Sequence, residues 1–223
     1  PQVKEIARLK SFDLLFQSQD KEISQDIAIV TIDEKSMEVY GQWPWRRDVL
    51  AGVIEELRAA EVGVIVLPIL FSEKDRLGGD EIFAEALKDN FVVVGQVGSH
   101  QTTTNGYPRG VAKIGNPLDF LWNKEYQTIS LAEAGPGAFD NLKGKTVIIA
   151  MTAEGLGGVI ATPTGSQYDY VAIASTLQTV IDGVNITRAD FLIELVVAFL
   201  AGLAIILLTR FTGYLVVAGA LII

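Results

Sequence analysis

The segment FLIELVVAFLAGLAIILLT, from Phe191 to Thr209, is 19 residues long and carries one charge, Glu194, near its start. As an α-helix rising about 1.5 Å per residue it reaches roughly 28 Å, the thickness of a bilayer's hydrocarbon core. The apolar pattern resumes after Arg210 in FTGYLVVAGALII and runs to Ile223. The sequence therefore predicts three parts: a domain over 1–189, a transmembrane helix over 190–209, and over 211–223 the start of a second transmembrane helix, cut short. With Pro1 in place of an initiator methionine, the chain reads as a processed or truncated product.

Cysteine is absent, which excludes disulfides and thiolate metal sites without fixing the compartment. The 27 acidic and 18 basic residues give a net charge of −9, the wrong sign for a nucleic-acid binder. His100 is the one histidine and stands in a polar loop, so a transition-metal site is not expected. The run Gly155-Leu156-Gly157-Gly158 would offer backbone N–H groups to an anion. It lacks the phosphate-loop lysine, however, and a tight connection is the plainer reading. No GxSxG elbow frames a nucleophile. No catalytic residue, metal or cofactor is expected.

Between Val3 and Phe16 the apolar residues keep a helical rhythm, fitting an amphipathic helix on the domain or the continuation of an upstream membrane helix. DIAIVTID, from Asp26 to Asp33, reads as a buried strand, followed by a turn or short helix ending near Gly41. Asp48 is placed to cap a helix over 49–60, and an apolar strand over 62–67 completes a parallel βαβ unit. The pattern continues with a helix over 81–88, a strand over 91–97, a loop over 98–115 and an ambiguous stretch over 116–139. A strand over 145–151, a glycine-rich loop over 155–165 and a helix over 168–182 complete it. In that helix Ile173, Leu177 and Val180 share a face that Ala174 widens, and Gly183 ends it. The fold class is α/β, a mostly parallel sheet flanked by helices, with C-terminal transmembrane helices.

Asp33 ends the first strand, at the sheet edge where ligands bind in parallel α/β folds, and it equally suits capping the next turn through Ser36. Asp80 precedes a helix, where capping is the simplest role. Trp43, Pro44, Trp45 and Arg47 form the most unusual local cluster, fitting a ligand lid, an interface or core packing.

These residues fall in an order that resembles the type-2 CHASE domain. Phe12-Asp13 matches the family's opening FD, Ile32-Asp33 with Ser36 its IDxxS, and Gly41 with Trp43, Pro44, Trp45 and Arg47 its WPWxR. Asp80 matches an acidic residue before the next helix, LKGKTVIIA (Leu142 to Ala150) the later GK strand, and Thr162-Pro163 a TP pair. The resemblance covers about residues 9–188. It departs at Pro68, where the family often has aspartate, at Ala150 in place of glycine and at Ala174 in place of histidine. The stretch over 98–139 is short, and Arg109-Gly110 only faintly echoes the usual DG-and-arginine segment.

The resemblance implies an extracytoplasmic (periplasmic or extracellular) sensory domain of a bacterial receptor, held in the cell membrane. Residues 190–209 would transmit, and a kinase or cyclase output would lie past residue 223. It also implies a homodimer or membrane-protein partners. Asp33, Ser36, Trp43, Trp45, Arg47 and Asp80 are the candidate ligand-binding or signalling residues, for a small molecule the sequence does not identify. The alternative is a noncatalytic accessory or scaffold subunit of a larger membrane complex, which the departures at Pro68, Ala150 and Ala174 favour.

Overall fold

A computed structural model describes residues 2–18, 20–71, 73–88, 92–95, 122–135, 137–184 and 191–220. His100, the loop over 98–115 with Arg109-Gly110, and Asp190 lie outside them, as do parts of the stretches over 91–97 and 116–139. The chain divides into two compact units, Pro1–Asn185 and Ile186–Ile223.

In the first unit, strands β1 (Glu22–Ile32), β2 (Val64–Leu70), β3 (Val92–Gly95), β4 (Lys124–Ser130) and β5 (Thr146–Met151) form one sheet in the order β3-β2-β5-β1-β4. Every pairing in it is parallel. Side chains alternate between the faces of a strand, and β1 is apolar on both. Ala28, Val30 and Ile32 face one apolar layer, Ile27 and Ile29 the other. A sheet of this kind must be covered on both sides.

On the first side lie α2 (Glu34–Tyr40), α3 (Arg47–Ala59) and α4 (Asp80–Ala86). From α3, Leu50, Val53, Ile54 and Leu57 enter the core, and from α4 Phe83. On the other side α5 (Tyr170–Ile181) sets Ala174 against Ile27, Ile29 and Ile148. The first helix, α1 (Gln2–Gln17), packs through Phe12 and Phe16 on Trp122 and Ala172, while Ile6 and Leu9 stay exposed.

Three local expectations change. The stretch over 155–165 is not all loop: β6 (Val159–Thr162) and β7 (Gly165–Tyr168) pair as an antiparallel hairpin. Gly165, at φ 112°, makes the tight turn possible. The glycines before it serve close packing, since a Cβ on Gly157 would lie 2.6 Å from the Met151 carbonyl oxygen. A Cβ on Gly158 would lie 2.6 Å from the Asp169 carboxylate, whose charge opposes an anion there. Helix α3 begins at Arg47 with Arg46 at the N-cap position, so Asp48 lies within the first turn, where its carboxylate accepts from the Arg46 guanidinium at 2.7 Å and from the Val49 amide at 3.0 Å. In α5 the buried face runs through Ala174, Ser175 and Gln178, leaving Val180 exposed. Gln178 is drawn inward because the Ser24 hydroxyl donates to its side-chain oxygen at 2.6 Å.

The second unit contains α6 (Phe191–Ala220), 30 residues of continuous helix with no break at Arg210. Phe191–Arg210 is long and apolar enough to cross a membrane by length and composition, and its side chains are not buried within the chain.

Candidate functional site

Parallel strands all end at one edge of the sheet. From β1 and β2 the chain passes to helices on one face, whereas the segment after β5 leads to α5 on the other. A crevice opens where such connections diverge. Here it is a cavity of about 620 Å³. Trp45, Leu50, Ile69 and Phe71 form its floor, Trp43, Pro44, Leu70, Leu77 and Met151 its walls, and the segment from Glu73 to Arg76 its rim.

The two tryptophans do different work. Trp45 is buried, and its indole N–H donates to the Gly41 carbonyl at 2.6 Å. That bond ties the turn after α2 to the start of α3. Tyr40 flanks the ring at 5.1 Å between centroids, and Trp43 meets it edge-on at 5.5 Å. Trp43 itself is half-buried and lines a second cavity of about 380 Å³ with Glu34, Met37, Gln42, Ala153, Glu154 and Leu156. It is a partition between two hollows.

Arg47 opens α3 and is buried. Its guanidinium pairs with the Asp80 carboxylate, donates to the Glu73 carbonyl, and lies 5.3 Å from the centre of the Phe71 ring. The Arg47 amide donates to Asp75 Oδ2 at 2.9 Å, and the Asp75 amide to Asp80 Oδ2 at 3.0 Å. Together these bonds clasp the segment from Glu73 to Asp80 against the first turn of α3. The expected capping role of Asp80 is corrected: Gly79 is the N-cap, Asp80 is the first residue of α4, and its carboxylate is held by Arg47. Glycine is needed at 79 because φ is 106° and a Cβ would meet the Asp48 amide nitrogen at 2.7 Å.

Asp33 and Ser36 form a separate joint. Asp33 caps α2 in a capping box: Oδ1 accepts from the Ser36 amide at 2.9 Å and the Ser36 hydroxyl at 2.7 Å. The Ser130 hydroxyl, at the end of β4, donates to the same oxygen at 2.9 Å. Burial pushes the Asp33 carboxyl upward, but the bonds from Ser36 and Ser130 outweigh it and the net direction is down. A depressed value stabilises the fold above the ordinary carboxylate pKa, and that stability is lost as pH falls through the depressed one. Asp33→Asn should therefore flatten the acid limb of stability below about pH 4, read from urea midpoints across pH. An unchanged acid limb would dismiss the joint as a pH-dependent element.

The structure thus brings Trp43, Trp45 and Arg47 to one cavity, sets Asp80 behind Arg47, and gives Asp33 and Ser36 a network of their own. Sequence reasoning missed Phe71, Met151 and the run from Glu73 to Leu77. Its signal was present in the alternating charges Glu73-Lys74-Asp75-Arg76 ahead of Gly78-Gly79, between a strand and a helix. Among the described residues no group of three or more His, Asp or Glu gathers for a metal. Aromatic walls with a charged rim on one side suit holding a molecule.

No curated protein and no solved structure matches the chain. A family model, the CHASE2 domain, matches residues 1–116. That stretch is just over half the chain and holds β1, the tryptophan pair and the arginine clasp. CHASE2 is an extracytoplasmic, non-catalytic sensory domain of bacterial signalling proteins. With the WPWxR residues assembled around one cavity and the match spanning them, the chain belongs to the CHASE2 domain family.

Proposed function

We propose that this chain is the membrane-anchored sensory part of a bacterial receptor, in which filling the cavity at the sheet edge biases the membrane helix that follows. The observation that carries the reading is the cavity of about 620 Å³ whose wall is a clasped segment. An occupant shifts an equilibrium only if it binds two states unequally. A wall held by Arg47 or released from it supplies two such states. Residues 1–189 are the sensory domain in this reading and 190–209 the anchor. Arg210 stands on the cytoplasmic side. The partners are a second copy of the chain or neighbouring membrane proteins.

The absence of cysteine makes any introduced one a unique reporter. Lys143→Cys, on an exposed turn, should react with a membrane-impermeant maleimide on intact cells. Labelling only after lysis would refute the extracytoplasmic placement. Single cysteines scanned along 191–209 should cross-link in membranes at rates that change when Trp43→Ala is added. If no position responds, the relay is wrong.

A second reading, an accessory subunit of a membrane complex, draws on Ala150 and Ala174. Both are buried in the apolar layer between α5 and the sheet, so these positions offer an occupant no polar group. Under this reading a partner protein fills the cavity.

A further inference from the structure

The charged rim of the cavity is one continuous run, Glu73-Lys74-Asp75-Arg76, set against walls that are otherwise apolar. One of the four is committed to the fold: Asp75 accepts from the Arg47 amide at 2.9 Å and the Leu77 amide at 3.0 Å. Arg47, beneath them, is committed to Asp80 and the Glu73 carbonyl. The side chains of Glu73, Lys74 and Arg76 are exposed and make no hydrogen bond or ion pair among the described residues.

Two uncommitted cations beside one uncommitted anion discriminate between head groups. A ligand head of a single sign would be attracted by one part of the rim and repelled by the other. A head carrying both signs is matched by both. The walls then require an apolar body, for which the half-buried Trp43 ring and the exposed Leu77 supply facing surfaces. The volume, about 620 Å³, lies well within the range of small-molecule sites.

We propose that the cavity takes an α-amino acid with a large apolar side chain. Its carboxylate is directed to Lys74 and Arg76, its ammonium to Glu73, and its side chain lies between Trp43 and Leu77. This rests on the sensory reading above and names the chemical class of its signal.

The test is calorimetric titration of the full chain in detergent micelles with three probes of one size. They are L-phenylalanine, phenethylamine (which lacks the carboxylate) and 3-phenylpropionate (which lacks the ammonium). L-Phenylalanine should bind about tenfold tighter than either analogue, the worth of one charge-assisted hydrogen bond. The Lys74→Gln/Arg76→Gln double variant should bring its affinity down to that of phenethylamine. Glu73→Gln should bring it down to that of 3-phenylpropionate. These exposed side chains have no partners among the described residues to lose, so thermal unfolding should be unchanged. An analogue binding as tightly as L-phenylalanine overturns the two-signed head, and an L-phenylalanine preference that survives both variants overturns the site. If none of the three binds, the amino-acid class falls. The cross-linking response of residues 191–209 to Trp43→Ala would then decide separately whether the sensory reading falls with it.

Discussion

Arg47→Met is expected to cost about 3 kcal/mol of stability, the low end for removing one partner of a buried ion pair. The low end applies because the Asp80 side chain keeps 30 % of its exposure while that of Arg47 keeps 9 %. Methionine retains much of the stem's packing on Phe71, so the loss reports the charge and its hydrogen bonds more than a cavity. It leaves the Asp80 carboxylate without its guanidinium and the Glu73 carbonyl without its donor. The segment from Glu73 to Asp80 should loosen as a unit, with hydrogen exchange of the Asp75 and Leu77 amides rising more than that of β5. Arg47→Lys should recover little, because an ammonium cannot reach a carboxylate and a carbonyl with the fixed fork of a guanidinium. Urea unfolding followed by tryptophan fluorescence gives the magnitude. A loss under about 1 kcal/mol, the range of surface ion pairs, would show that the clasp is solvated and does not define the cavity wall.

The parts of this fold that were legible in the sequence are those set by neighbours along the chain. The apolar run at the end of β1 reads as a strand buried on both faces, and Asp33 with Ser36 as a helix cap, because both patterns complete themselves within a few residues. Strand order was not legible. β1 pairs with β5 through Ile27 opposite Thr146, and no local pattern announces a partner so distant. The same limit explains Asp48 and Asp80. Each stands where a capping aspartate belongs, and each is taken by an arginine, two residues away for Asp48 and 33 away for Asp80. The tryptophan cluster was conspicuous, but its purpose was not, since the cavity it lines exists only once Arg47 draws in the segment after β2. The β6–β7 hairpin was hidden by its four-residue strands, too short to show an alternating pattern.

Trp45→Ala should be the most damaging change in the cavity, at about 4 kcal/mol. The ring is 6 % exposed, lies against Tyr40 and Trp43, and joins the core layer through which α3 meets the sheet. Its removal opens a hole that the clasped segment cannot fill while Arg47 holds it. Trp45→Phe should cost about 1–2 kcal/mol, since it keeps most of the apolar area and gives up the bond to the Gly41 carbonyl. Trp43→Ala should cost less than half of what Trp45→Ala does, because the Trp43 ring is half-buried and faces open volume on two sides. The comparison bears directly on function. A wall available to a ligand can be removed at modest cost to the fold, whereas a floor cannot. Equal losses for Trp43→Ala and Trp45→Ala in urea unfolding would mean that both rings are core and that the partition presents no free surface. The cavity would then lose the face on which an occupant must rest.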